Sequence, residues 1–169
     1  MTMQTPDLMI WKNVQHSIIA GLSFERVFPD TPLPKFEFMS TNCWRGYIET
    51  WIVDDDGWLK LSKIGSGVQE KILDDGYIDL EIGAVNQLDT IFPNHDGPIT
   101  ALGFSGDVTT GYGDVRSNGL YAVSYSIYRI SHFEGGKFTH FEEHDRTWWE
   151  KDHEPYVLPD FLLNLNETD

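Results

Sequence analysis

The chain has 169 residues, 40% hydrophobic and 14% aromatic, with 27 acidic against 12 basic side chains and a formal net charge of -15. Such aromatic content excludes a disordered chain, and the length suits one domain, 1–169, with a buried core. A single cysteine, Cys43, excludes an intrachain disulfide framework.

An acidic surface repels nucleic acid and anionic lipid, so neither is an expected partner. No window holds 18 uninterrupted apolar residues, and Met-Thr-Met-Gln-Thr-Pro-Asp lacks the basic and apolar regions of a signal peptide. A cytoplasmic protein, not spanning a membrane, is the expectation.

Apolar residues recur mostly with a period of two, which predicts strands. In chain order these are Leu8–Trp11 and Val14–Ala20, joined across Lys12-Asn13, and then Ser23–Phe28. The segment Val27–Pro34 holds three prolines and reads as an extended connection.

Next comes Trp44-Arg45-Gly46-Tyr47-Ile48-Glu49-Thr50-Trp51-Ile52-Val53, then Asp54-Asp55-Asp56-Gly57, then Trp58-Leu59-Lys60-Leu61. Asp-Gly between alternating runs predicts a hairpin. A two-residue turn at Asp56-Gly57 pairs Ile52 with Leu61 and places Ile48, Ile52, Leu59 and Leu61 on one face. Arg45, Tyr47, Glu49 and Trp51 then share the other. Arg45, Tyr47 and Trp51 are candidates to line a small-molecule pocket in a barrel mouth, with Arg45 facing an anionic group. The alternative is a structural Arg–Glu pair covered by aromatic side chains.

From Ile72 to Val115 there is no lysine or arginine, while Asp74, Asp75, Asp79, Glu81, Asp89, Asp96, Asp107 and Asp114 fall inside. Strands are predicted at Gln69–Leu73 and Tyr77–Ile82. In the second, Ile78, Leu80 and Ile82 are expected inward, leaving Asp79 and Glu81 in water about 6.5–7 Å apart. Asp74, Asp75, Asp79 and Glu81 are candidates for contacting a basic protein partner; the alternative is a solvated strand face.

Ala84–Ile91 suggests a short helix and Ile99–Phe104 a strand. A long strand over 120–133 turns at Glu134-Gly135-Gly136-Lys137 and returns as Phe138–His144. In it bulky Tyr121, Val123, Tyr125 and Ile127 alternate with Ala122, Ser124 and Ser126, a smooth face against which a sheet or ligand packs closely. His140, Glu142 and His144 are the one concentrated metal-capable group, a candidate zinc or iron set. On a flat strand they span about 13 Å, too far to converge without a bend. Asp160–Leu165 suggests a second short helix, and the aromatic tail (Trp148, Trp149, Tyr156, Phe161) is expected to pack on the sheet.

Other motifs fail on context. Gly103-Phe104-Ser105-Gly106-Asp107 lacks the final glycine of a nucleophile elbow, and Gly65-Ser66-Gly67 is not followed by the lysine of a phosphate loop. No catalytic constellation and no cofactor is expected, a metal at the His140 group aside.

The block Cys43-Trp44-Arg45-Gly46-Tyr47-Ile48, Trp51 and Asp56-Gly57-Trp58-Leu59-Lys60-Leu61 resembles that of an uncharacterised bacterial β-rich protein family. Gly97-Pro98, Phe104-Ser105-Gly106 and Gly111-Tyr112-Gly113 are similar in order. The likeness covers about the middle half of the chain, and the segment after Gly113 departs from it. It implies a small soluble β-rich protein and brings no site residues.

The expected architecture is all-β or mainly β: an antiparallel sandwich or barrel with one or two short helices and a C-terminal segment packed on the sheet. The expected function is that of an acidic, non-enzymatic binding protein, such as an immunity or inhibitor protein for a basic partner. The alternatives are a small-molecule binder and, on the His140 group, a metal-dependent enzyme.

Overall fold

A computed structural model describes residues 4–37, 43–117 and 123–145. The predicted C-terminal packing, the Asp160–Leu165 helix and the start of the 120–133 strand lie outside them. The fold is mainly β: β1 (Leu8–Trp11), β2 (Val14–Ala20), β3 (Tyr47–Val53), β4 (Leu59–Ile72), β5 (Ile78–Asn86), β6 (Ile99–Thr100), β7 (Gly106–Ser117), β8 (Val123–Glu134) and β9 (Lys137–Asp145). Two single-turn helices interrupt it, α1 (Phe24–Val27) and α2 (Leu88–Ile91). Among the described residues no helix is long and apolar enough to cross a membrane.

All nine strands of the described residues belong to one sheet, ordered β5-β4-β3-β1-β2-β7-β8-β9 with β6 beside β4. The β1–β3 pair is parallel, so the sheet is mixed rather than purely antiparallel. It curls until its hairpin tips meet. Leu59 N–H donates to Gly136 O at 2.8 Å and Phe138 N–H to Gly57 O at 2.8 Å. Among the described residues a single bridge, Trp58 to Lys137, is all the strand pairing made there, so the sheet does not close into a barrel. Inside the curl lies the core, built on Met9, Trp51, Leu59, Leu61, Val108 and Phe133.

Local chemistry explains where the strands stop. At Lys12-Asn13 both residues have positive φ, and Trp11 pairs with Val14 across a two-residue turn. The segment predicted as a strand at Ser23–Phe28 is helical instead. Ser23 Oγ accepts from Arg26 N–H at 3.3 Å as an N-cap, and Phe24 and Val27, three apart, bury on one face. The predicted helix at Ala84–Ile91 is shorter, because β5 runs to Asn86, whose Oδ1 then accepts from Leu88 N–H at 3.0 Å. Of the predicted strand Ile99–Phe104 only Ile99 and Thr100 pair with β4.

The β3–β4 hairpin forms one residue out of the expected register. Asp54 N–H donates to Trp58 O at 3.0 Å and Gly57 N–H to Asp54 O at 3.0 Å, so three residues, Asp55, Asp56 and Gly57, make the connection. Gly57 takes φ +87, which a side chain resists. Trp51, not Ile52, therefore faces Leu61, and a one-residue slip turns every side chain to the opposite face. Tyr47, Glu49, Trp51 and Val53 go inward with Leu59 and Leu61, whereas Ile48 and Ile52 take the outer face. The β8–β9 hairpin turns through Gly135-Gly136 as expected, and the small residues Ser124 and Ser126 on β8 are buried.

Candidate functional site: a projecting acidic ribbon

Beyond Ser66 the sheet narrows to two strands. β3 begins at Tyr47, opposite Ser66, so among the described strands β4 past that point has only β5 beside it. Gly67 and Gly83 sit at this junction, both with φ +75, where the β4–β5 register shifts. Positive φ on both strands lets the ribbon bend at its root. Its tip repeats the chemistry of the β3–β4 turn: Asp74-Asp75-Gly76 link Leu73 to Tyr77, with Leu73 N–H on Tyr77 O at 2.8 Å and Gly76 N–H on Leu73 O at 2.9 Å. Asp75 Oδ1 accepts from Tyr77 N–H at 3.1 Å and stiffens the turn.

The pairs Val68–Ile82, Glu70–Leu80 and Ile72–Ile78 share one face of the ribbon, and Gln69–Glu81 and Lys71–Asp79 the other. Alternation of acids with Ile78, Leu80 and Ile82 is as expected from the sequence, and Ile82 is half-buried, but Ile78 and Leu80 are not inward. Ile72, Ile78 and Leu80 are 76%, 62% and 57% exposed, because the ribbon extends past the body of the sheet and no described element covers it. Residues 67–82 carry five carboxylates, Glu70, Asp74, Asp75, Asp79 and Glu81, against Lys71 alone. An exposed apolar stripe broken by Glu70 results, with Asp74 and Asp75 at the tip and Asp79 and Glu81 on the reverse face.

At the foot of the stripe lies a cavity of about 400 Å³, lined by Pro34, Phe36, Ser66, Val68, Gln87 and Thr90 among others. Gln87 Nε2 donates to Ser66 Oγ at 2.8 Å on its wall. Val68 belongs both to this wall and to the apolar stripe, so the two are continuous.

The expected pocket group is gathered, but as a packed cluster. Arg45 forms an ion pair with Asp7 and stands 4.7 Å from the Tyr47 ring centroid. Trp51 Nε1 donates to Glu49 Oε1 at 3.0 Å. Phe28 stacks on Trp51 and Phe36 leans on Tyr47, and both Trp51 and Tyr47 are buried. This face looks into the core of an unclosed sheet, not into a barrel mouth, and the cavity opens beside Phe36 instead.

Asp7 is the partner that sequence reasoning missed. Its Oδ1 accepts from Glu49 N–H at 2.7 Å, and its carbonyl accepts from Ile18 N–H at 2.8 Å, so it ties β1 to β3 and β2. Thirty-eight residues separate Asp7 from Arg45, and no local pattern marks the pair. Glu49 is fully buried, and Oε2 finds no hydrogen-bond partner among the described residues. Desolvation, then the Asp7 charge, pushes its pKa up to about 8. Burial raises Asp7 as well, but Asp7 has the closer contact with Arg45 and a backbone donor, so the proton of the pair resides on Glu49.

The His140 group is dispersed. His140 lies against His132, with ring centroids 5.0 Å apart, and His132 Nδ1 meets Asp107 Oδ1 at 2.6 Å. His144 Nε2 is 3.3 Å from Glu142 Oε1. Among the described residues no three His, Cys, Asp or Glu side chains are grouped to hold a metal ion, so His140, Glu142 and His144 do not form the candidate set. Glu142 and His144 meet, but His140 turns to His132 instead, so the three do not converge.

No protein-family model, no curated protein and no solved structure matches the chain.

Proposed function

We propose that this chain is an acidic binding protein that docks a basic protein partner on the β4–β5 ribbon, in the manner of an inhibitor or immunity protein. The observation that carries this reading is the exposed stripe of Ile72, Ile78 and Leu80, with Asp74 and Asp75 at the ribbon's tip and Asp79 and Glu81 on its reverse face. An apolar face and nearby carboxylates divide the labour of an interface: the first supplies affinity and the second steer the partner. The net charge of -15 extends that steering over the whole surface and disfavours pairing with a second copy. At the foot of the stripe, the cavity beside Phe36 would receive an anchoring side chain of the partner.

The test compares affinity capture by the wild-type chain, by Ile72→Ser/Leu80→Ser and by Asp79→Asn/Glu81→Gln. A basic protein should be recovered by the wild type, released by added salt and lost by both variants, and the purified pair should reproduce the pattern. Capture that ignores salt and the ribbon substitutions would refute the assignment.

A further inference from the structure

We infer that the partner is held by strand addition: an extended segment alternating Lys or Arg with apolar residues pairs along the outer edge of β5. This rests on the ribbon being a docking surface for a basic protein, and it specifies the mode of recognition.

The free edge is the first support. β5 is the last strand of the sheet, with β4 on one side and no described strand on the other. Leu80 N–H is bonded to Asp79 Oδ1 at 2.9 Å, so that donor points away from β4. Backbone groups of an extended strand alternate in direction, so Ile78 presents its N–H and C=O to the same outer edge.

The guarding of that edge is the second. Edges that must stay single are blocked by Lys, Pro or bulges. Between Ile78 and Ile82 there is no Lys and no Pro, and the register shift lies beyond, at Gly83. What guards the edge is Asp79, whose carboxylate folds over the Leu80 donor. A carboxylate cap repels a second acidic chain but is itself a target for a cation. When Lys or Arg of an incoming strand draws Asp79 away, Leu80 N–H is freed for that strand's carbonyl. One event thus selects for charge and opens the edge.

Geometry then sets the pattern of the segment. Residues placed beside Asp79 and Glu81 share their face and should be basic. Those placed beside Ile78 and Leu80 share the apolar face, so a repeat of apolar and basic residues fits in register.

The test uses a synthetic probe, blocked Val-Lys-Val-Lys-Val-Lys, and two forms of it, N-methylated on the valine or on the lysine amides. Methylation leaves charge and side chains intact and blocks only one edge of the peptide backbone. Strand addition predicts that the two methylated probes differ in affinity by tenfold or more, and that Ile78 and Leu80 amides become protected from hydrogen exchange on binding the unmodified probe. Equal affinities of the two methylated forms would overturn strand addition while leaving the ribbon as a basic-partner surface. If the unmodified probe binds the wild type no better than it binds Asp79→Asn/Glu81→Gln, both readings fall.

Discussion

The indole N–H of Trp51 donates to the carboxyl of Glu49 at 3.0 Å, and both side chains are fully buried. Asp7, Arg45, Glu25 and the Tyr47 hydroxyl are the ionisable groups around that carboxyl. With a folded pKa pushed to about 8 against an ordinary value of 4.5, Glu49 keeps its proton where the unfolded chain has released it. Its contribution to stability is therefore full below pH 4.5 and disappears as pH rises to about 8. Between pH 6.5 and 8 the wild type should lose about 1–2 kcal/mol relative to Glu49→Gln, since each unit is worth at most ~1.4 kcal/mol. Denaturant titrations at several pH values check this; parallel curves for the two proteins would refute it.

His16 works in the opposite direction. Burial, then the charge of Arg129, lowers its pKa from 6.5 to about 4, and Nδ1 lies 3.1 Å from Thr110 Oγ1. A histidine held neutral contributes stability above pH 6.5 that is lost as pH falls toward 4. Over pH 4.5–6.5 this slope offsets that of Glu49. In a Glu49→Gln background the acid-side loss should stand uncovered, and adding His16→Gln should remove it. Retention of the slope in the double variant would show that another group is responsible.

Exposure of the ribbon gives a contrast between two leucines of the same sheet. Leu80 is 57% exposed and Leu61 is fully buried. Leu61→Ala should cost about 2–5 kcal/mol through the cavity it leaves. Leu80→Ala should stay within about 0.5 kcal/mol, as surface substitutions do. Thermal melts of the two variants decide; a large loss at Leu80 would mean that its face is covered in the native protein.

The three-residue connection before Trp58 is testable through its glycine. Gly57→Ala at φ +87 should destabilise by about 1–2 kcal/mol from backbone strain. Gly103→Ala, where φ is ordinary and an added Cβ meets nothing within 4 Å, is the control and should be nearly silent.

What could be read from the sequence was whatever local chemistry decides. Both ends of Leu8–Trp11 and Val14–Ala20 follow from alternation and from Asn13 in the turn. The Gly135-Gly136 turn follows in the same way. At Asp56-Gly57 the dipeptide marks a turn, but it serves two-residue and three-residue connections alike, and that one residue decides which face is buried. Ser23–Phe28 satisfies a strand pattern and a capped helical turn equally, and tertiary burial of Phe24 with Val27 settles it. Ile78 and Leu80 alternate with acids as a half-buried strand does, yet alternation says nothing about whether another layer lies above. Arg45, Tyr47, Glu49 and Trp51 do share a face, but Asp7, which makes the cluster an ion pair across strands, comes from a distant segment.

The meeting of the two hairpin tips has a consequence for the order of events in folding. Gly57 and Leu59 bond to Phe138 and Gly136, groups roughly eighty residues apart along the chain, while each hairpin forms from near neighbours. Loop closure over that distance is rewarded only after both hairpins exist, so the seam should be absent from the folding transition state and lost first on unfolding. Substitutions at the seam should accelerate unfolding and leave the folding rate almost unchanged.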